Sequence, residues 1–273
     1  MVQKNKIQVT GARLATERGC GPWGKRKTET SITTMSTEEE DDMVCLDESF
    51  FINDDYQITD FTFGPHLLHL YCLQSSSTDF DLTGQLVWPG AVLLNDYLTK
   101  NANMLQGCSC IELGSGVGLT GVLCSRFCRE VVMTDHNDEV LKILKENIKL
   151  QESSDDSMCC TELKAEKLEW GNSDQLNCIL QGHPEGFDLV LGADICFQQA
   201  NVPLLFDTVE QLLKDRDQSK CKFILAYVSR AKVMDAMVIN EAIRHGLQIN
   251  EVSGTRRIIK NLEGVIFEIT TNH

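Results

Sequence analysis

The stretch CSCIELGSGVGLTG, Cys108 to Gly121, constrains this chain more than any other. A short apolar run with a single acid, Glu112, leads into Gly114, Gly116, Gly118 and Gly121. Apolar residues in a short run form a buried strand, and closely spaced glycines let the chain turn sharply and bring its backbone against a ligand before a helix begins. A strand, glycine turn and helix in succession is the opening unit of a parallel sheet covered by helices.

The rest of the chain continues that unit. EVVMTD reads as a strand and NDEVLKILKENIKL as a helix with Asn137 as its N-cap and Val140, Leu141, Leu144 and Ile148 on one face. TELKAEKLEW and FDLVLGAD follow as strands, then the helix NVPLLFDTVEQLLKD, the buried strand CKFILAYVS and the helix AKVMDAMVINEAIRH closed by Gly246. LQINEVS and VIFEITT come last with no helix between them, so they are expected to pair antiparallel. Upstream, Pro89 opens a helix through Val92, Leu93 and Leu94, and YQITDFTF with HLLHLYCLQ forms an antiparallel pair. The expectation is an α/β, Rossmann-like seven-stranded sheet with helices on both faces, the last strand pair antiparallel. Its parts are a disordered charged tail over 1–44, a small N-terminal β extension over 45–83 and the main domain over 84–273.

The 273 residues, 42% hydrophobic, are enough for a well-buried core. No apolar run is long enough to span a bilayer, and the first twenty residues lack a signal-peptide core, so an intracellular location is expected, cytoplasmic with nuclear residence open. The 12 cysteines show no paired CxxC spacing, so no metal and no disulfide framework are expected. A net charge of -15 argues against a nucleic-acid partner, since phosphate binding needs a basic surface. Residues 1–34 run against this trend at a net +5, leaving about -20 on residues 35–273. An acidic body is compatible with a basic protein substrate as well as with simple solubility. No exposed apolar stripe is evident, so a monomer is expected.

Gly116 to Gly121 fits the GxGxxG of a dinucleotide site, and Asp135 follows as the ribose acid. Here, however, Gly114 comes directly off the strand and Glu112 lies within it. That arrangement resembles the first motif of the seven-strand methyltransferases that use S-adenosylmethionine. LVWPGA with Trp88, LEWG with Trp170 and GADICF with Asp194 and Phe197 narrow the resemblance to the small protein-lysine methyltransferases, whose motif after the fourth strand reads Asp-x-x-Tyr/Phe. The resemblance spans Gly84 to Tyr227.

It implies S-adenosylmethionine as cofactor and a lysine of a protein substrate as acceptor. Trp88 would cover the cofactor; Gly114, Ser115, Gly116 and Gly118 would approach it beside Glu112; Asp135 would hold the ribose. Trp170 would flank the adenine, Ala193 would offer its backbone, and Asp194 and Phe197 would form the catalytic entrance, Asp194 attracting the ammonium and orienting its lone pair. Phe197 replaces the hydroxyl of a tyrosine with an apolar wall. Transfer to arginine, another amine or a small molecule, and a cofactor-binding module without activity, are the alternatives. A nicotinamide oxidoreductase is disfavoured because no YxxxK pair is present.

Overall fold

A computed structural model describes residues 56–73, 80–153, 162–214 and 221–272. The expected tail over 1–44 lies outside the described residues. The antiparallel pair is β1 (Tyr56–Phe63) and β2 (His66–Leu73), in register from Tyr56↔Leu73 to Phe63↔His66. Then come α1 (Pro89–Lys100), β3 (Ser109–Leu113), α2 (Leu119–Cys124), β4 (Glu130–Asp135), α3 (Asp138–Glu152), β5 (Glu162–Lys167), α4 (Ser173–Gly182) and β6 (Leu189–Ala193). The chain ends with α5 (Asn201–Lys214), β7 (Lys222–Val228), α6 (Lys232–Arg244), β8 (Leu247–Glu251), β9 (Arg257–Ile259) and β10 (Leu262–Thr271).

The main sheet runs β5-β4-β3-β6-β7-β10-β8, and β9 pairs with the start of β10. Its first five strands are mutually parallel, and β10 is antiparallel to β7, β8 and β9. The antiparallel end pair is as expected, but among the described residues the sheet has eight strands rather than seven. The added strand β9 reaches β10 through Lys260 and Asn261, both with positive φ (46° and 69°). Two left-handed residues make a tight hairpin turn, and a Lys-Asn pair carries none of the glycine signal that usually marks one.

Period-2 alternation splits the strand side chains between two cores. Ile111, Leu113, Val132, Phe223 and Leu225 face α4, α5 and α6 through Ile179, Phe206, Val209 and Val238. Cys110, Met133, Ile224 and Ala226 face α1, α2 and α3 through Leu94, Leu98, Leu123 and Leu144. Phe63, Leu68 and Leu70 of the β1–β2 pair join this second core. Asn147, fully buried on α3, fastens the pair: its Oδ1 accepts from the Tyr71 backbone N at 2.7 Å and its Nδ2 donates to Tyr71 O at 3.0 Å and to Val117 O at 2.8 Å. One amide thus mimics a neighbouring strand and also holds the chain beside the glycine turn.

Two features of the packing are not marked in the sequence. The Sγ atoms of Cys110, Cys124 and Cys128 lie within 4.8 Å of one another in the core. Val233, Ile239 and Ile243 of α6 are exposed to solvent, the two isoleucines one turn apart and Val233 on another face.

Candidate functional site

Four parallel strands end together at one edge of the sheet, and the turns after β3, β4, β5 and β6 enclose a cleft there, where open α/β sheets place their ligands. The turn after β3 is sewn to β4. Ser115 N donates to Thr134 O at 2.8 Å, and Ser115 Oγ accepts from Thr134 N at 3.0 Å while donating to Glu112 O at 3.3 Å. Gly116 N then donates to Asp135 Oδ2 at 3.2 Å. Gly116 has φ +54°, and a Cβ there would lie 2.6 Å from Gly84 O, so backbone approach and handedness both require glycine.

The acids differ in environment. Asp135 Oδ1 accepts from Asn137 N at 3.1 Å, and the carboxylate stands at the end of β4 with His136 Nδ1 at 3.4 Å. Glu112 is 2% exposed and accepts from Gly121 N at 3.1 Å. Burial pushes its carboxyl up to about 7, opposed by its hydrogen bonds and aided by the nearby Asp135 charge.

The far walls come from the loops after β5 and β6 and from the start of α1. Leu168 N donates to Asp135 O at 3.0 Å and Gly171 N to Thr208 Oγ1 at 2.9 Å, which fixes the intervening Trp170 against the glycine turn. Trp88, the residue before α1, donates its indole N–H to Thr83 O at 2.8 Å. Phe197 and Leu204 form an exposed apolar lip.

The expected site residues Trp88, Glu112, Gly114, Ser115, Gly116, Asp135, Trp170, Ala193, Asp194 and Phe197 all line this cleft, whose volume is about 290 Å³. Gly118 does not. It caps α2 with φ +87°, and a Cβ on it would sit 2.5 Å from Leu144 Cδ1, so its place is in the packing beneath the turn.

Asp194 lies in the wall, but its carboxylate already has partners. It is 5% exposed; Oδ1 accepts from Arg230 Nη1, and Oδ2 accepts from Arg230 Nη2 at 2.9 Å and from Gly90 N at 3.1 Å. The expected free carboxylate, waiting for an ammonium, is therefore corrected to one arm of a bidentate ion pair. Arg230 is the residue that sequence reasoning missed. Its one legible sign is its place just beyond an apolar strand, in YVSRAK.

The charge of the lining is informative. Glu112, Asp135, Glu169 and Asp194 face the cleft, and among the described residues no lysine or arginine does. A pyrophosphate would meet carboxylates with no cation to offset them. A cationic nucleoside fits this donor set, with a diol for Asp135 and an aromatic ring for Trp170. Among the described residues, two groups of potentially metal-ligating side chains occur away from the cleft. Asp207, Glu210 and His245 form an ion-pair cluster in which His245 Nε2 meets Asp207 Oδ1 at 2.7 Å and Nδ1 meets Glu241 O at 2.8 Å. Cys110, Cys124 and Cys128 form the buried thiol cluster described above.

A family model described as "Lysine methyltransferase" matches residues 72–241, which takes in β3 through β7 and every cleft residue named above. Among curated proteins, the chain is 32% identical over 127 residues to a mouse protein named Protein N-lysine methyltransferase METTL21A, covering 46% of this chain and 54% of that protein. It is 29% identical over 152 residues to the Protein-lysine N-methyltransferase EFM3 of Chaetomium thermophilum, covering 53% and 44%. It is 31% identical over 146 residues to the Protein N-terminal and lysine N-methyltransferase EFM7 of Yarrowia lipolytica, covering 48% and 53%. The chain spans about half the length of these curated relatives. With most of its described sheet and the whole cleft inside the matched segment, this chain belongs to the lysine methyltransferase family.

Proposed function

We propose that this protein methylates a lysine side chain of a protein substrate, with S-adenosylmethionine as methyl donor. The observation that carries this reading is the cleft itself: a glycine turn, a strand-end carboxylate and an aromatic wall, lined by acids and by no cationic side chain among the described residues. Such a lining selects against phosphates and for a positively charged nucleoside.

When bound, S-adenosylmethionine supplies a methyl group on a sulfonium, and the N–C bond to the acceptor forms as the C–S bond breaks and a neutral thioether leaves. The protein's residues have two tasks. Asp135 would accept hydrogen bonds from the ribose hydroxyls, the backbone of Gly114 to Gly116 would admit the methionine end, Trp170 would flank the base and Ala193 would present its backbone. Trp88 closes the opposite side.

The second task concerns the acceptor. A lysine must lose its proton to expose a lone pair, which at pH 7 costs about 4 to 5 kcal/mol for an unperturbed amine. Phe197, Trp88 and Leu204 supply an apolar passage that strips water from the amine and disfavours its charged form. Phe197 has no hydroxyl to hold the nitrogen, so orientation falls to the shape of that passage.

The test is incubation of purified protein with labelled S-adenosylmethionine and a cell extract, beside an Asp135→Ala variant. One or a few labelled proteins carrying methyl-lysine, lost in the variant, is the expected result. Methyl-arginine or labelled small molecules would replace the acceptor. If calorimetry showed no S-adenosylmethionine binding, the reading of the cleft would fall.

A further inference from the structure

Arg230 does not line the cleft, yet it touches two residues that do. It reaches Asp194 from behind with both terminal nitrogens, and its guanidinium carbon lies 5.5 Å from the centre of the Trp88 ring. Arg230 and Asp194 meet because β7 runs parallel beside β6, with Ala193 opposite Ala226, so the residues that follow the two strand ends come together. Asp194 holds φ +61°, a left-handed conformation that costs a non-glycine residue about 1 kcal/mol or more unless its surroundings demand it. The demand is visible: Asp194 N donates to Ala226 O at 2.8 Å, and the carboxylate is held by Arg230 and Gly90.

We propose that Arg230 is a positioning residue that neutralises Asp194 in the acceptor wall, so that the cleft receives the acceptor amine in its uncharged, nucleophilic form rather than as an ammonium. This rests on the methyl-transfer reading above. A lone buried carboxylate at the entrance would bind an ammonium well and thereby keep the proton on it, because an anion nearby favours the charged form of an amine. Paired with a guanidinium that stays protonated throughout the working range, the same carboxylate exerts little net pull. The lone pair then becomes available at lower pH, and the proton goes to solvent before the N–C bond forms.

The other charged and titratable groups around the pair do not take over this role. Asp235 of α6 accepts from Tyr227 Oη at 2.6 Å and from Ser229 Oγ at 3.0 Å, which leaves Asp194 as the carboxylate bound to Arg230. The Cys196 thiol is pushed up to about 12, by burial first and by Asp194 second, so it stays neutral. Glu112, Asp135, His136 and Glu169 face the cleft with Asp194 and act equally on every variant below.

The experiment measures kcat against pH at saturating methyl donor, with the protein identified by the labelling experiment, purified, as saturating acceptor. The acid limb of kcat reports the bound amine. Arg230→Gln should move that limb to higher pH by about one unit, an approximately tenfold loss near neutrality that high pH recovers. Arg230→Lys, which keeps the charge, should leave the limb in place while lowering the rate. Asp194→Asn should move it the other way, to lower pH, so the sign can be read even if one variant fails to fold. A uniform fall in kcat with an unmoved limb in both the Gln and Asn variants would overturn the proposal and leave Arg230 a structural role. Absence of labelling by the unaltered protein would overturn both this and the methyl-transfer reading, whereas unmoved limbs with normal labelling would overturn this alone.

Discussion

Two carboxylates a few ångströms from the glycine turn are set for different fates. Asp135 lines the cleft, so Asp135→Ala should weaken S-adenosylmethionine binding by about 10- to 100-fold, as expected for loss of one or two hydrogen bonds to a charged acceptor, and should also lower the melting temperature, because Gly116 N and Asn137 N lose their acceptor at a cost of about 1 to 3 kcal/mol. Calorimetry and thermal unfolding together check both halves of that statement. Glu112 is different because its cost is carried by the empty protein. A carboxyl raised from 4.5 to about 7 contributes stability that is complete below its unfolded value and is lost as pH rises through about 7. Glu112→Gln keeps an acceptor for Gly121 N and removes that loss. The ligand-free variant should therefore be more stable than the parent at about pH 8, by on the order of 3 kcal/mol at most, and should match it at about pH 4. Urea unfolding at the two pH values would show it; equal stabilities at the higher pH would place an ionised, well-solvated Glu112 in the fold.

At the scale of elements, the β1–β2 pair depends on one side chain. Replacing Asn147 with Ala removes its three hydrogen bonds and leaves Tyr71 and Val117 groups without that partner, which should cost about 2 to 4 kcal/mol. The urea midpoint should fall with an unchanged slope, and because Val117 lies in the cleft lining, affinity for S-adenosylmethionine should drop as well. A stable variant with normal affinity would show that apolar packing of Phe63, Leu68 and Leu70 holds the pair unaided. Elements of this kind divide by how local their cause is. The β3, β4, β6 and β7 runs are legible because burial on both faces makes them largely apolar. The helix α4 was missed: it buries only Leu176 and Ile179, although Asn172, whose side chain accepts from Gln175 N at 3.1 Å, marked its start. The insertion of β10 between β7 and β8 has no local signature, since it is decided by pairing among strands distant in sequence. The cleft follows the same division. Residues just after a strand, such as Gly114, Asp194 and Trp170, announce themselves by position, whereas Arg230 joins Asp194 only through the parallel neighbour strand.

At the scale of the molecule, charge and site have the same sign. The chain carries a net charge of -15 and its cleft is lined by acids, so under the proposed function its field would favour approach of a basic protein segment. Steering of this sort acts on encounter and is screened by salt, while the chemical step inside the cleft is shielded from it. For the protein acceptor, KM should rise several-fold between about 50 and 300 mM salt with kcat nearly constant. The first 34 residues carry a net +5 against this field, so a chain lacking them, at about -20, should show the steeper dependence. A KM that ignores salt in both chains would mean that acidity serves solubility alone. A steeper dependence in the 273-residue chain would mean that the basic segment itself meets the substrate.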